Sequence, residues 1–193
     1  MLEVSIKDVK LYLNTDPRLF SPKAPDQGTL RMLDHVDFAP DDLVLDLGCG
    51  YGLVGIYSAS ILPPDQVYMT DIDPAAAAVS SENLTVNGIS GVTVLQGNAY
   101  ESVDRNDFSL ILSNPPYHTD FSVAKTFIEK GFNRLSIGGR MYMVTKRKEW
   151  YKNKFISVFG GVRIWEEDGY FIFMARKKTV SYARTTPHSD GRK

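Results

Sequence analysis

Four consecutive residues, Asn114-Pro115-Pro116-Tyr117, carry groups that together suit one kind of chemistry. The two prolines fix φ and remove two backbone donors. That leaves the Pro115 carbonyl and the Asn114 side-chain oxygen as a pair of acceptors, suited to the two protons of a planar NH2 group. An aromatic or amide NH2 is a poor nucleophile because its lone pair is delocalised. Holding it in line with an electrophile therefore counts for more than a strong base. Tyr117 adds a flat face on which a base can stack, which makes Asn114, Pro115 and Tyr117 the catalytic candidates. A loop that merely ends a strand is compatible with the same four residues, so the reading depends on a second motif upstream.

That motif is Asp46-Leu47-Gly48-Cys49-Gly50-Tyr51-Gly52. Glycines directly after a buried strand permit positive φ and let backbone approach a ligand with no Cβ in the way. The stretch also contains Gly50-x-Gly52-x-x-Gly55, a formal match to the dinucleotide-binding fingerprint, so the glycines alone do not separate a nicotinamide cofactor from another adenosine cofactor. Asp71 stands about 20 residues further on at a strand end, where a carboxylate can accept from both ribose hydroxyls of an adenosine. Asp73, followed by Pro74, reads as a helix N-cap with proline at the first helical position and ranks below Asp71 as a ligand residue. Cys49 is the single cysteine, with no base assignable to it and no partner for a disulfide, and no Cys/His cluster offers metal-ligand spacing.

These motifs need a frame, and the apolar runs supply one. Residues 43–47, 66–70, 92–96, 108–113 and 140–145 are short continuous apolar runs, the pattern of strands buried on both faces. Helical segments over 53–62, from Asp73 to Asn87-Gly88, and over 121–135 alternate with them, and Gly138-Gly139 reads as a break before the next strand. The link between residues 94 and 108 is the weakest helix. After a helical stretch at 148–159, the runs 162–166 and 170–175 flank Glu167-Asp168-Gly169 as a hairpin. The expected fold class is α/β, a mixed doubly wound, Rossmann-like sheet closed by an antiparallel C-terminal hairpin, with ligands at the carboxyl ends of the strands.

Residues 1–40, with alternation near Val4 to Leu13 and a helix around Thr29 to Val36, are read as an N-terminal lid; residues 41–178 form the main domain and 179–193 a disordered basic tail. The chain has 193 residues, 43% of them hydrophobic, enough for one core. A net charge of −1 gives no global field for nucleic acid, although six basic residues (Arg176, Lys177, Lys178, Arg184, Arg192, Lys193) face only Asp190 near the end. No apolar run approaches the ~18 residues that span a bilayer, and no signal-peptide pattern opens the chain, so a cytoplasmic protein is expected. Lys146, Arg147, Lys148, Lys152 and Lys154, with Trp150 and Tyr151 interleaved, form either a substrate-facing basic patch or a solvated helix face.

Taken together, the chain resembles class I S-adenosylmethionine-dependent methyltransferases with the Asn-Pro-Pro-Tyr/Phe signature. Within them it is similar to the small-domain enzymes related to bacterial ribosomal RNA guanine-N2 methyltransferases. Phe20-Ser21 with Asp26-x-Gly28-Thr29, Asn114 to His118, and Gly138 to Thr145 leading into Lys146-Arg147 carry the narrower resemblance. It implies S-adenosylmethionine as cofactor, its methionine part held by Asp46, Gly48, Cys49, Gly50 and Gly52. Asp71 and Ile72 would take the ribose side, Asn98 and Ala99 the adenine end, with Asn114 between cofactor and substrate. Pro116, Tyr117 and His118 would face the substrate, RNA would be the partner, and no metal would be needed. Adenine N6, a glutamine amide, or a noncatalytic cofactor- or RNA-binding module remain as alternatives, and the oligomeric state stays open.

Overall fold

The computed structural model describes residues 1–116 and 121–183. Tyr117 and His118, and the tail from 184 onward, lie outside the described residues. Seven strands form one sheet: β3 (Val44–Leu47), β4 (Val67–Asp71), β5 (Thr93–Gln96), β6 (Phe108–Ser113), β7 (Leu135–Thr145), β8 (Arg163–Glu167) and β9 (Tyr170–Arg176), in the order β5-β4-β3-β6-β7-β9-β8. The first five run parallel, and β9 and β8 close the sheet antiparallel. The mixed sheet expected from the apolar runs is the one observed. Connections from β3 lead outward to β4 on one side, while β6 lies on the other, so the strand order reverses between β3 and β6. Loops leaving those two strands must diverge there, which opens a crevice.

A two-stranded hairpin of β1 (Leu2–Ile6) and β2 (Val9–Leu13) precedes helix α1 (Gln27–His35). Alternation puts Val4, Ile6, Leu11 and Leu13 on one buried face. That face covers α2 (Leu53–Ile61), which is apolar nearly all round and buried from Leu53 to Ala59. Two asparagines of α3 (Pro74–Val86) and its C-cap fasten the hairpin. Asn83 accepts from the Asn14 N–H and donates to the carbonyls of Asn14 and Tyr51, and Asn87 exchanges hydrogen bonds with the backbone of Tyr12. Each amide behaves like a short piece of partner strand.

Helices α4 (Ser122–Arg134) and α5 (Glu149–Phe159) cover the opposite face, with Phe127, Phe132, Phe155 and Phe159 in a second apolar cluster against β6, β7 and β9. Strand β7 differs from the sequence expectation, since it starts at Leu135 rather than after the glycine pair. Phe108 pairs with Leu135 and Leu110 with Arg140, so residues 136–139 bulge without ending the strand. Gly138, at φ +88°, makes that bulge accessible, and Gly138 and Lys177 stay hydrogen-bonded across it. The link from 97 to 107 is not a helix: the Arg134 guanidinium holds it as irregular chain by donating to the carbonyls of Tyr100, Val103 and Arg105. Residues 179–183 run back over α4 and α5, where Tyr182 donates to the Glu129 carbonyl and packs edge-on against Phe132. The hairpin turn Asp168-Gly169 has φ of +49° and +78°, the two positive values of a two-residue turn matched to strand twist.

Candidate active site at the strand crossover

The crevice between β3 and β6 contains a cavity of about 330 Å³. Asp46, Gly48, Cys49, Gly50, Asp71, Ile72, Asn98, Ala99, Asn114 and Pro116 all line it, so most of the residues singled out from sequence converge on one place. Two do not reach its wall. Gly52 is the left-handed N-cap of α2 (φ +94°), and a Cβ there would meet Ile56 and Met69 at 2.9 Å, so it serves the turn behind the loop. Pro115 is buried and does not line the cavity. By contrast a Cβ built on Gly50 meets no protein atom within 4 Å, so a side chain there would project into the cavity.

Register explains the convergence. Asp46 pairs with Leu112 across β3 and β6, and the Ser113 hydroxyl donates to the Leu47 carbonyl (2.7 Å), which locks the two strand ends together. The Asp46 carboxylate accepts the Gly55 N–H at 2.8 Å and is almost wholly buried. Burial pushes its carboxyl up to about 7, opposed by the Gly55 N–H and helped by the nearby charge of Asp71. Asp71 accepts from the Gly50 N–H through one oxygen (2.9 Å) and from the Asp73 N–H through the other (3.0 Å), tying the glycine loop to β4. Asp73 caps α3 by accepting from Ala75 N, as its position before Pro74 predicts. Cys49 sits 3.5 Å from the Ser80 hydroxyl, and burial pushes its thiol well up, so the sulfur stays protonated and unsuited to nucleophilic attack.

Asn114 shows the decisive geometry. Its Nδ2 donates to Asp26 Oδ1 at 2.8 Å and to Thr29 Oγ1 at 2.9 Å. A carboxylate only accepts, so the NH2 end must face Asp26 and the carbonyl end must point elsewhere. Both amide protons are used, which leaves Oδ1 as the acceptor Asn114 offers to the cavity. Asp26 does double duty, since the same Oδ1 accepts the Thr29 N–H at 2.9 Å and caps α1. Neither Asp26 nor Thr29 was given a role from sequence, where Asp26-x-Gly28-Thr29 serves only as part of the family resemblance. Arg18, Leu19 and Phe20 also line the cavity, so the segment before α1 contributes to its wall, as do Val123 and Phe127 of α4.

Residues 10–174 match the family described as the methyltransferase small domain. The chain belongs to that family. Ribosomal RNA small subunit methyltransferase C of Pseudomonas putida is 33% identical over 90% of this chain and 53% of its own length. Uncharacterized protein YbxB of Bacillus subtilis is 30% identical over 89% of each chain. Among solved structures, a Thermus thermophilus 16S rRNA N2 methyltransferase in complex with AdoMet and guanosine superposes with a TM-score of 0.85, at 23% identity, over 92% of this chain and 50% of that one. The chain thus spans about half the length of the curated rRNA methyltransferases that it matches. In this methyltransferase domain the basic stretch after β7 is largely neutralised. Lys148, Lys152 and Lys154 pair with Glu166, Glu149 and Glu129, while Lys146 lies over the Tyr170 ring and Arg147 over Phe121, which stacks on Trp150 at 4.3 Å. Among the described residues no His/Cys/Asp/Glu group could hold a metal ion, and no helix is long and apolar enough to cross a membrane.

Proposed function

We propose that this chain transfers a methyl group from S-adenosylmethionine to the exocyclic N2 amine of guanine in ribosomal RNA. The observation that carries the reading is the locked Asn114 amide: with both Nδ2 protons held by Asp26 and Thr29, its Oδ1 is an oriented acceptor for a substrate N–H. The rRNA methyltransferases it resembles supply the substrate class.

The cavity fits the cofactor. Gly48 and Gly50 give a side-chain-free wall, Asp46 a buried carboxyl for a cationic amine, and Asp71 two oxygens with lone pairs left for ribose hydroxyls. Ile72, exposed at 63%, and Ala99 would flank the adenine, with Asn98 at its edge. When bound, the cofactor supplies a methyl group already activated on a sulfonium. The protein's share is to orient: Asn114 Oδ1 accepts a hydrogen bond from the amine, Pro116 borders the base, and stacking on the base and a further contact to it are assigned to Tyr117 and His118; Pro115, buried behind the wall, is not placed to be the second acceptor. The apolar wall of Leu19, Val123 and Phe127 limits water around the amine.

Two experiments bear on this. Incubation with methyl-labelled cofactor and separate ribosomal RNA, DNA and protein pools should label RNA; label confined to protein or DNA would overturn the substrate assignment. The second reads Asp46. Its raised value keeps it neutral below about 7, and a cation bound beside it favours the carboxylate. Cofactor affinity should therefore rise from about pH 6 to about pH 8, with a proton released on binding at the lower end. Calorimetry at the lower pH in buffers of different ionisation enthalpy measures that proton, and Asp46→Asn should abolish it.

A further inference from the structure

We infer that Asp26 is the residue that selects guanine, by accepting its ring N1–H beside the amine held at Asn114. The inference rests on the guanine-N2 reading and extends it from the reacting nitrogen to its neighbour on the same base edge. Asp26 is only 8% exposed yet lines the cavity. Its Oδ1 is taken up by Thr29 and Asn114. Among the described residues no hydrogen bond to Oδ2 and no ion pair of this carboxylate is found. Its charge is felt locally: Tyr51 has its phenol pushed up to about 12, first by burial and then by the Asp26 charge. With Oδ1 taken up, Oδ2 is the oxygen that the carboxylate can offer to a donor on a ligand in the cavity.

Base chemistry identifies the donor. On guanine the N2 amine adjoins N1–H, a donor next to a donor. On adenine the N6 amine adjoins the N1 lone pair, and on a glutamine side chain the amide NH2 adjoins a carbonyl oxygen. Of the three amines that the Asn114 acceptor can hold, only guanine therefore presents a proton to the adjacent carboxylate. The other two present a lone pair to a negative charge, a repulsive element that discriminates as strongly as the attractive one. Asp26 thus supports Asn114 through one oxygen and reads the base through the other.

The test compares guanosine with 2-aminopurine riboside, which keeps the C2 amine but carries a lone pair at N1, using methyl transfer from labelled S-adenosylmethionine to the free nucleosides. The parent should prefer guanosine by roughly 10²-fold in kcat/KM. Asp26→Asn keeps the shape and a competent helix cap but offers an NH2 where the carboxylate oxygen stood, so the preference should collapse to within a few-fold or invert. Thr29→Val, which weakens the support of Asn114 without touching the reader, should lower both substrates together and leave the ratio intact. A folded Asp26→Asn variant that loses both substrates equally, or a parent that does not discriminate, overturns the inference alone. Transfer to adenosine instead of guanosine, or to no nucleoside, overturns the guanine reading and this inference with it.

Discussion

Replacing Asn114 with alanine is expected to lower methyl transfer by about 10²–10³-fold while leaving binding of S-adenosylhomocysteine within a few-fold of the parent. The magnitude follows from removing one preorganised polar partner from a site shielded from water, worth ~3–4 kcal/mol of transition-state stabilisation. The separation between chemistry and binding follows from geometry. The groups assigned to the cofactor, Asp46, Asp71 and the glycine wall, hang from β3 and β4 and are hydrogen-bonded to one another or to α2. Asn114 hangs from β6 and is held by α1 instead. The variant leaves Asp26 and Thr29 bonded to each other through the helix cap, so the fold should persist. Single-turnover rates beside calorimetry on the same preparation check both halves, and a variant that transfers methyl at the parent's rate removes Asn114 from the mechanism.

The largest stability effect is expected away from the cavity, at Asp42. This carboxylate is 2% exposed and receives the Arg140 guanidinium on both oxygens (2.7 and 2.6 Å), the Ser109 hydroxyl at 2.6 Å and the Ala39 N–H at 2.8 Å. Arg140, itself 8% exposed, also donates to the Asp37 carbonyl. The pair pins the α1–β3 connection to β6, which Asn114 directly follows, and to β7. Asp42→Ala would strand the Arg140 charge in the interior and should destabilise the fold by about 3–5 kcal/mol, lowering the melting temperature by roughly 10 °C or more. Replacing the two partners together should recover much of that loss, because no buried charge then lacks a partner. Thermal unfolding of the single and double variants measures this, and a single variant that melts with the parent would contradict it.

Much of the sheet is legible because strands buried on both faces leave unbroken apolar runs: residues 43–47 and 108–113 show as Val44–Leu47 and Phe108–Ser113 almost to the residue. The cavity's two principal motifs are legible for a related reason. Glycines and prolines mark places where the backbone leaves a strand in a course that other residues rarely follow. What escaped is nonlocal. The α2 sequence carries no polar face to announce that a hairpin 40 residues earlier would cover it. The β7 bulge looks like a strand start because Gly138-Gly139 normally punctuates, whereas backbone pairing with Lys177 and the Arg176 and Lys177 side chains on the Gly138 and Leu135 carbonyls keep the strand running. Asp26 is the sharpest case: locally it is a helix cap, and its contact with Asn114 spans 88 positions of sequence. The five clustered basic residues after β7 suggest a charged surface, but Glu129, Glu149 and Glu166 answer three of them.

The most direct test of the whole account is the chemical identity of the methylated product. Ribosomal RNA lacking its own guanine-N2 methylation, treated with this protein and S-adenosylmethionine, should yield N2-methylguanosine after digestion to nucleosides and mass spectrometry. The Asn114→Ala variant, prepared in parallel, should yield almost none. Recovery of N6-methyladenosine, or of an RNA with no new methylated nucleoside beside a labelled protein, would contradict it.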